Sequence, residues 1–333
     1  MHPTIIISAF CRPYSLLRLL QSLEAAKYPN KGIHLIISLD GGADVEVVNI
    51  AKSFQFSHGE VEIVERERNV GLREHILWCG DQSEKYGSVI VLEDDLFVDP
   101  YFYYYAVSSL SFYEHDEVIA GVALYSPRFN EYVNLPFEPM YNGSSTYLMQ
   151  VPCSWGQAWT ARQWSLFKSW YETSTQKDID LCLALPSAVK KWPDSSWKKY
   201  FAAYLVLHSR FFVYPYQAYT SNCSDAGGTH IVQESNLFQV PLCSEFRQAD
   251  NFHYCTACKP IVCYDAFMEP CGQYVSNLLG FSLRDFEIDF YASKPIDLLR
   301  LKKYCVTTRY TKVALKRFPI RFKPIEKKPF FSM

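Results

Sequence analysis

Val89-Ile90-Val91-Leu92-Glu93-Asp94-Asp95-Leu96-Phe97-Val98-Asp99-Pro100-Tyr101-Phe102 is the stretch that decides the fold. Four apolar, strand-type residues run directly into three consecutive carboxylates, and the chain then turns at a proline. A buried strand ending in Glu-Asp-Asp sets acidic groups at the carboxyl edge of a sheet, where open α/β folds bind ligands. Adjacent carboxylates repel one another, so the run is costly unless water solvates it or a cation neutralises it. Hard oxygen donors suit Mg2+ or Mn2+ rather than zinc. A solvated acidic turn is the plainer alternative, and the neighbouring sequence has to choose between the two.

Upstream, Ile5–Ala9 is a short β-rich run that ends at the turn Cys11-Arg12-Pro13, after which Leu16, Leu17, Leu19, Leu20 and Leu23 recur at helical spacing. His34–Leu39 reads as a second strand closing on Asp40-Gly41-Gly42, Val45–Phe54 as a helix, and Val61–Val64 as a third strand. Asn69-Val70-Gly71-Leu72 opens a helix that runs to about Tyr86, and Val89–Leu92 is the fourth strand. Strand and helix alternate over about ninety residues, which predicts an α/β fold with a parallel sheet and right-handed crossovers. Downstream, Tyr101–Tyr113 reads as an aromatic helix, Val118–Ala123 as a strand, and 126–150 as an irregular loop of a length that usually serves function. Cys153-Ser154-Trp155-Gly156-Gln157-Ala158-Trp159 leads into a helix ending near Glu172, then come a helix at Trp197–Leu207 and a strand at Phe211–Tyr214.

Together, Thr4–Leu20, Ser38-Leu39-Asp40-Gly41-Gly42, Asn69-Val70-Gly71-Leu72-Arg73 and Leu92-Glu93-Asp94-Asp95 resemble the nucleotide-sugar half of a GT-A glycosyltransferase. The phrase Val91–Leu96 followed by Pro100-Tyr101-Phe102 is most similar to the branch of N-acetylglucosaminyltransferase I and related bacterial family 2 enzymes. In that branch Glu-Asp-Asp is the metal-bearing form of the Asp-X-Asp motif. Ser154–Trp159 resembles the Trp-Gly segment that opens the acceptor half, and the likeness covers about residues 4–232. It implies a Rossmann-like, mostly parallel central sheet flanked by helices. The expected division is 1–240 for the transferase domain (1–125 nucleotide-sugar half, 126–240 acceptor half) and 241–333 for an α+β or helical extension.

The resemblance also assigns roles. Asp95 is expected to hold the divalent cation that offsets the diphosphate charge as it departs. Asp94 and Glu93 would face ribose, donor sugar or metal-bound water. Asp40 would accept from a base or ribose, although Asp-Gly-Gly is also good turn chemistry. Arg12 would lie in the loop that cradles the nucleotide, or be an exposed surface charge. Asn69 and Arg73, opening a helix near the same edge, would bind the donor, Arg73 through a forked contact to the diphosphate, or else Asn69 caps the helix and Arg73 is solvated. An inverting enzyme needs a carboxylate to take the acceptor proton. Many relatives carry Trp-Asp at the corresponding helix, whereas here Trp197 is followed by Lys198. Asp194 from the preceding loop, or Asp225, would then be the base; otherwise the chain is impaired in catalysis. Ser221–His230, with two glycines, resembles the loop that closes over the donor, with His230 a further contact to metal or diphosphate.

Composition narrows the alternatives. The chain has 333 residues, 49% of them hydrophobic and 16% aromatic, and a formal net charge of −2, so a sizeable core is available and nothing argues for nucleic-acid binding. The N-terminus lacks the charged and apolar regions of a signal peptide, and no stretch approaches the roughly 18–20 apolar residues of a membrane span. Eleven scattered cysteines read as reduced thiols of a cytoplasmic protein. Cys255, Cys258, Cys263 and Cys271 offer four thiols for zinc, but only the first two form a Cys-X-X-Cys knuckle, and incidental cysteines are the better reading. From Lys294 onward the sequence is basic and interleaved with Leu and Phe, with only Asp297 and Glu326 opposing. This suits either an anionic inner-membrane face, where lipid-linked acceptors reside, or a helix packed on the domain with its charges solvated. The reading that results is a metal-dependent, inverting transferase moving a sugar from a UDP-sugar to a surface polysaccharide or lipopolysaccharide hydroxyl. A non-catalytic scaffold of the same fold and, less well, a sugar-1-phosphate nucleotidyltransferase are the alternatives.

Overall fold

Four parallel strands lie side by side at the heart of the molecule: β1 (Thr4–Ala9), β2 (Ile33–Leu39), β3 (Gly59–Glu65) and β4 (Ser88–Glu93). They stand in the order β4-β1-β2-β3, with Ile5 opposite both Leu35 and Ile90. The computed structural model describes residues 1–226, 235–243, 252–254, 262–271 and 286–310. Helices α1 (Pro13–Ala25), α2 (Val45–Ser53) and α3 (Gly71–Tyr86) connect the four strands. Every residue of β1 is buried, as a strand covered on both faces requires. Alternation divides its side chains: Ile5 and Ile7 pack with Leu16, Leu19, Leu20 and Leu23 of α1, while Ile6 packs with Ile76, Leu77 and Cys79 of α3. Pro13 at the start of α1 costs no helix hydrogen bond there.

The rest of the sheet is mixed. After β5 (Leu96–Val98) and α4 (Phe102–Phe112) come β6 (Ile119–Ala123), the short hairpin β7 (Phe129–Asn130) and β8 (Leu135–Pro136), β9 (Thr146–Met149) and β10 (Gln157–Thr160). Helices α5 (Ala161–Thr173), α6 (Gln176–Leu181), α7 (Ser187–Lys190) and α8 (Trp197–Leu207) precede β11 (Phe211–Pro215) and β12 (Thr220–Asn222). Beyond them lie β13 (Cys263–Tyr264), β14 (Pro270–Cys271), β15 (Phe286–Asp289), α9 (Ile296–Leu299) and β16 (Tyr304–Thr307). Among the described residues ten strands form one sheet in the order β14-β13-β9-β11-β6-β10-β4-β1-β2-β3. It is the mainly parallel, helix-flanked α/β sheet expected of a GT-A fold.

Two segments differ from the sequence reading. Residues 126–150 are not wholly irregular, because β9 is a buried strand antiparallel to β11. Gln157–Thr160, expected to lead straight into a helix, is instead a central strand antiparallel to both β4 and β6. Four residues are too few to display a period, and a central strand is defined by partners far away in sequence. Thr160 then caps α5: its Oγ1 accepts from Gln163 N at 3.2 Å while Gln163 Oε1 accepts from Thr160 N at 3.1 Å. The sheet also continues past residue 240, since β13 pairs in parallel with β9.

The basic C-terminal stretch is corrected in part. Lys294 is buried against Asp265 and Glu287, and Arg309 Nε donates to Asp289 Oδ2 at 2.7 Å. These acids escaped notice because they precede Lys294 in the chain. Arg300, Lys302 and Lys303 are exposed, and residues 311–333 lie outside the described residues. Among the described residues no helix is long and apolar enough to cross a membrane.

Candidate active site

The carboxyl ends of β1, β2 and β4 converge where the chain leaves the sheet. β4 delivers Glu93, Asp94 and Asp95, and the loop after β1 delivers Arg12. Asp94 and Asp95 are 4% and 3% exposed, so water does not solvate these two carboxylates, while Glu93 is half-buried. The Arg12 fork spans the two aspartates instead: one Nη meets Asp94 Oδ1, and the other donates to Asp95 Oδ2 at 2.8 Å. Burial pushes the Asp94 carboxyl up to about 6, against the pull of Arg12 and with a further push from Asp95. Glu93 is raised too, by burial first and then by the charge of Asp95, with Arg12 and Lys198 acting the other way. Burial works against the Arg12 charge, yet the two aspartates outweigh it and raise the guanidinium above its ordinary value.

β5 pairs with β12, which carries the chain from Thr220 back over the acidic run. Cys223 N donates to Asp95 O at 3.0 Å. Two residues on, Asp225 is held from both sides, by the Arg18 fork and by Ser15 Oγ at 2.6 Å. Burial alone would raise the Asp225 carboxyl, but the Arg18 and Ser15 hydrogen bonds leave it below its ordinary value. A cleft of about 640 Å³ opens beside this pair, lined by Arg18, Cys223, Asp225, Ser235, Asn236 and Gln239.

Asp40, at the end of β2, does the work that Asn69 was one candidate for. Its Oδ1 accepts from Gly41 N and Val70 N, both at 2.9 Å, and its Oδ2 accepts from Gly71 N at 3.0 Å. A carboxylate from a neighbouring strand thus satisfies the first amides of α3, whose own N-cap, Val70, has no side-chain acceptor. Asn69 is exposed. Gly41 fits only because it lacks a Cβ, which would stand 2.0 Å from the Arg68 backbone.

Arg73 is engaged by the loop before α8 and by its neighbour Glu74. Its Nη1 donates to Asp194 O at 2.5 Å, tying the loop before α8 to the start of α3. The Asp194 side chain is exposed and meets Lys199 Nζ through Oδ1 at 2.9 Å, a hydrogen bond and charge that lower its carboxyl. The expected site residues therefore form separate groups: Arg12, Asp94 and Asp95 with Asp225 close by through Arg18; Asp40 with the start of α3; and Arg73 with the Asp194 loop. His230 lies outside the described residues, as do Cys255 and Cys258.

Two functional candidates escaped sequence reading. Arg66, just past β3, lies over the Trp78 ring at 4.5 Å with its buried Nε and Nη2 unpartnered. In sequence it sits in Glu65-Arg66-Glu67-Arg68, which resembles a solvated charge run. Lys198 lies between Trp155 and Trp192, with Nζ 5.6 Å and 5.5 Å from their ring centroids. The Trp197-Lys198 dipeptide was the available signal, and it registered only as a missing carboxylate.

The chemistry of a divalent cation is compatible with this edge. Among the described residues Asp95 Oδ1 is buried and has no hydrogen-bond partner, leaving one hard oxygen donor unsatisfied there. Among the described residues no cluster of three or more His, Cys, Asp or Glu side chains is arranged as a metal cage. Mg2+ and Mn2+ do not need one, since they are commonly held by one or two carboxylates with substrate phosphates and water.

No curated protein sequence matches the chain. Among solved structures, it is similar to a fragment of S. aureus TarS, residues 1–349, in complex with UDP-GlcNAc: 13% identity, TM-score 0.43, with 66% of this chain and 58% of that chain covered. It is also similar to the mannosyltransferase PcManGT from Pyrobaculum calidifontis in complex with GDP-Man and Mn2+, at 10% identity and TM-score 0.35, covering 55% of this chain and 52% of that one. The chain spans about 60% of the TarS fragment determined without ligand. Residues 4–165, just under half of the chain, match the family model for glycosyl transferase family 2, and this part of the chain is a glycosyltransferase domain.

Proposed function

We propose that the chain is a metal-dependent, inverting glycosyltransferase that moves a sugar from a nucleotide donor, a UDP-sugar first, to a hydroxyl of a surface glycan or lipopolysaccharide. The observation that carries this reading is the buried Asp94-Asp95 pair, held by Arg12 and left with one unsatisfied oxygen, Asp95 Oδ1. A bound Mg2+ or Mn2+ supplies charge neutralisation for the departing diphosphate. Asp95 would hold the metal with the diphosphate, Arg12 would set the geometry of the acids, and Glu93 and Asp94 would face the donor. Asp40 would shape the nucleotide edge by fixing Val70 and Gly71. Asp194 is preferred to Asp225 as the acceptor base: among the described residues its Oδ2 has no partner, whereas Asp225 has both oxygens engaged. The exposed Arg300, Lys302 and Lys303 beside the basic tail support peripheral contact with an anionic inner membrane. The division into 1–240 and 241–333 is retained as a proposal for limited proteolysis to examine.

A second reading is a scaffold that binds nucleotide or glycan without turnover, favoured by Lys198 where resembling enzymes carry a carboxylate. Purified protein incubated with Mn2+ and a panel of UDP-sugars separates the two. Release of UDP that requires metal and falls by 10²-fold or more in Asp95→Ala supports the transferase, on the scale of losing one key electrostatic group. Metal-dependent UDP binding without turnover on any glycan supports the scaffold. Neither binding nor turnover sinks both.

A further inference from the structure

We infer that Trp155, Trp192 and Lys198 form an acceptor subsite for an anionic sugar, one bearing a carboxylate or a phosphate. This inference rests on the transferase reading and adds the class of acceptor.

Position comes first. Gln157 pairs with Val91, so the antiparallel register of β10 and β4 carries Trp155 to the level of Glu93 at the end of β4. Trp155 is fixed there. Its carbonyl accepts from Thr220 Oγ1 at 2.6 Å, and its ring packs on Tyr125 and Phe238 with centroids 4.8 and 4.7 Å away. Lys198 stands near the start of α8, and its charge acts on Glu93 and on Cys153. Trp192 closes the other side from the loop whose Asp194 carbonyl Arg73 holds. All three residues come from beyond residue 150, on the opposite flank of β4 from the Arg12 loop.

Chemistry follows. Lys198 is half-buried as a residue, and among the described residues its ammonium has neither a hydrogen-bond partner nor a carboxylate oxygen within 4 Å. The neighbouring Lys199 is paired with Asp194, whereas Lys198 touches no carboxylate and acts on Glu93 only at longer range. Two indole rings attract the ammonium through their quadrupoles, but a ring quadrupole is not a counterion. An anion entering here gains a charge-assisted hydrogen bond from an ammonium that no carboxylate touches. The flanking indoles offer the flat apolar surface on which the C–H face of a pyranose packs. The ligand that satisfies both features is a sugar ring carrying a negative group.

The test is binding of free glucuronic acid, glucose 6-phosphate and glucose to the full chain, measured by tryptophan fluorescence with saturating UDP and Mn2+ present. The expected result is that at least one charged sugar binds about tenfold more tightly than glucose, the scale of one hydrogen bond to a charged group. The two charged arms tell a carboxylate acceptor from a phosphorylated one. In Lys198→Met the preference is expected to vanish while UDP binding persists. Equal binding of charged and neutral sugars by the wild type, including no binding of any, overturns the inference, and this arm needs no variant to fold. A preference seen only between UDP-glucuronate and UDP-glucose also overturns it, because the charge would then be read on the donor. Loss of UDP binding itself in the wild type instead counts against the transferase reading beneath it.

Discussion

Arg12 Nη1 donates to Asp95 Oδ2 at 2.8 Å, and these residues lie 83 positions apart in the chain. With its other Nη on Asp94, the one guanidinium answers the repulsion that the acidic run raises on its own. In the proposed reading a cation on Asp95 Oδ1 would share with Arg12 the task of offsetting these two charges. Arg12→Ala leaves two adjacent buried carboxylates without a counter-charge, a change that costs about 3–5 kcal/mol when a buried pair is broken. We expect a fall in thermal midpoint that millimolar Mn2+ partly restores, with a larger Mn2+-induced gain in the variant than in the wild type. An equal gain in both proteins would show that Arg12 and the metal do not share a site.

Asp40→Asn tests whether the carboxylate holds the start of α3. An amide keeps one acceptor oxygen and turns the other into a donor that faces backbone N–H groups. The Asp40 oxygens serve three amides, so at least one of Gly41, Val70 and Gly71 loses its acceptor. Each buried donor left unsatisfied costs about 1–3 kcal/mol. Hydrogen exchange should accelerate at Gly71 or at Val70, according to which position keeps the oxygen, and UDP affinity should fall together with it. Unchanged protection at both amides would mean that the loop is held by something else.

How much of this was legible in the sequence depends on distance along the chain. The strands β1, β2 and β4 stood out because apolar runs of several residues are followed by helices with a clear period, and their observed ends differ little from the expected ones. The acid run and Asp40 were visible because a strand end is a local feature. Their partners were not. Arg12 reaches Asp94 across 82 positions, and β10 enters the sheet between strands it does not adjoin in sequence. Local pattern reports which residues want burial, and it does not say which ones meet. The same limit hid the acids that pair with Lys294 and the indoles around Lys198.

The pH dependence of stability should carry the signature of His75. Its Nε2 lies 2.8 Å from Ser38 Oγ, and burial, helped by the Arg66 charge, pushes the imidazole down to about 4 from 6.5. Between those values the unfolded chain binds the proton that the folded chain refuses. Stability from this group is therefore fully present above pH 6.5 and is lost as pH falls towards 4, at about 1.4 kcal/mol per unit. His75→Gln cannot titrate. Urea unfolding of both proteins should show their stability difference shrinking by roughly 2–3 kcal/mol between pH 7 and pH 4. A constant difference across that range would place the imidazole in contact with water.

Cys263 faces Cys271 across the antiparallel pair β13 and β14, with the two Sγ atoms 3.2 Å apart. The Cα atoms of facing residues in such a ladder are about 4.5–5.5 Å apart, within the span a disulfide bridges. Reactivity is a separate matter. The hydrogen bond with Cys263, together with burial, holds the Cys271 thiol well above its ordinary value, so little thiolate exists at neutral pH. Diamide, which takes two electrons and two protons from a dithiol, should therefore close the pair slowly at pH 7 and much faster at pH 9. Mass mapping of the oxidised chain should find a peptide cross-linked between 263 and 271, and Cys263→Ser should abolish it. A cross-link from Cys271 to Cys255 or Cys258 in the wild type would instead show that all four cysteines gather at this edge, which is the arrangement a zinc site needs.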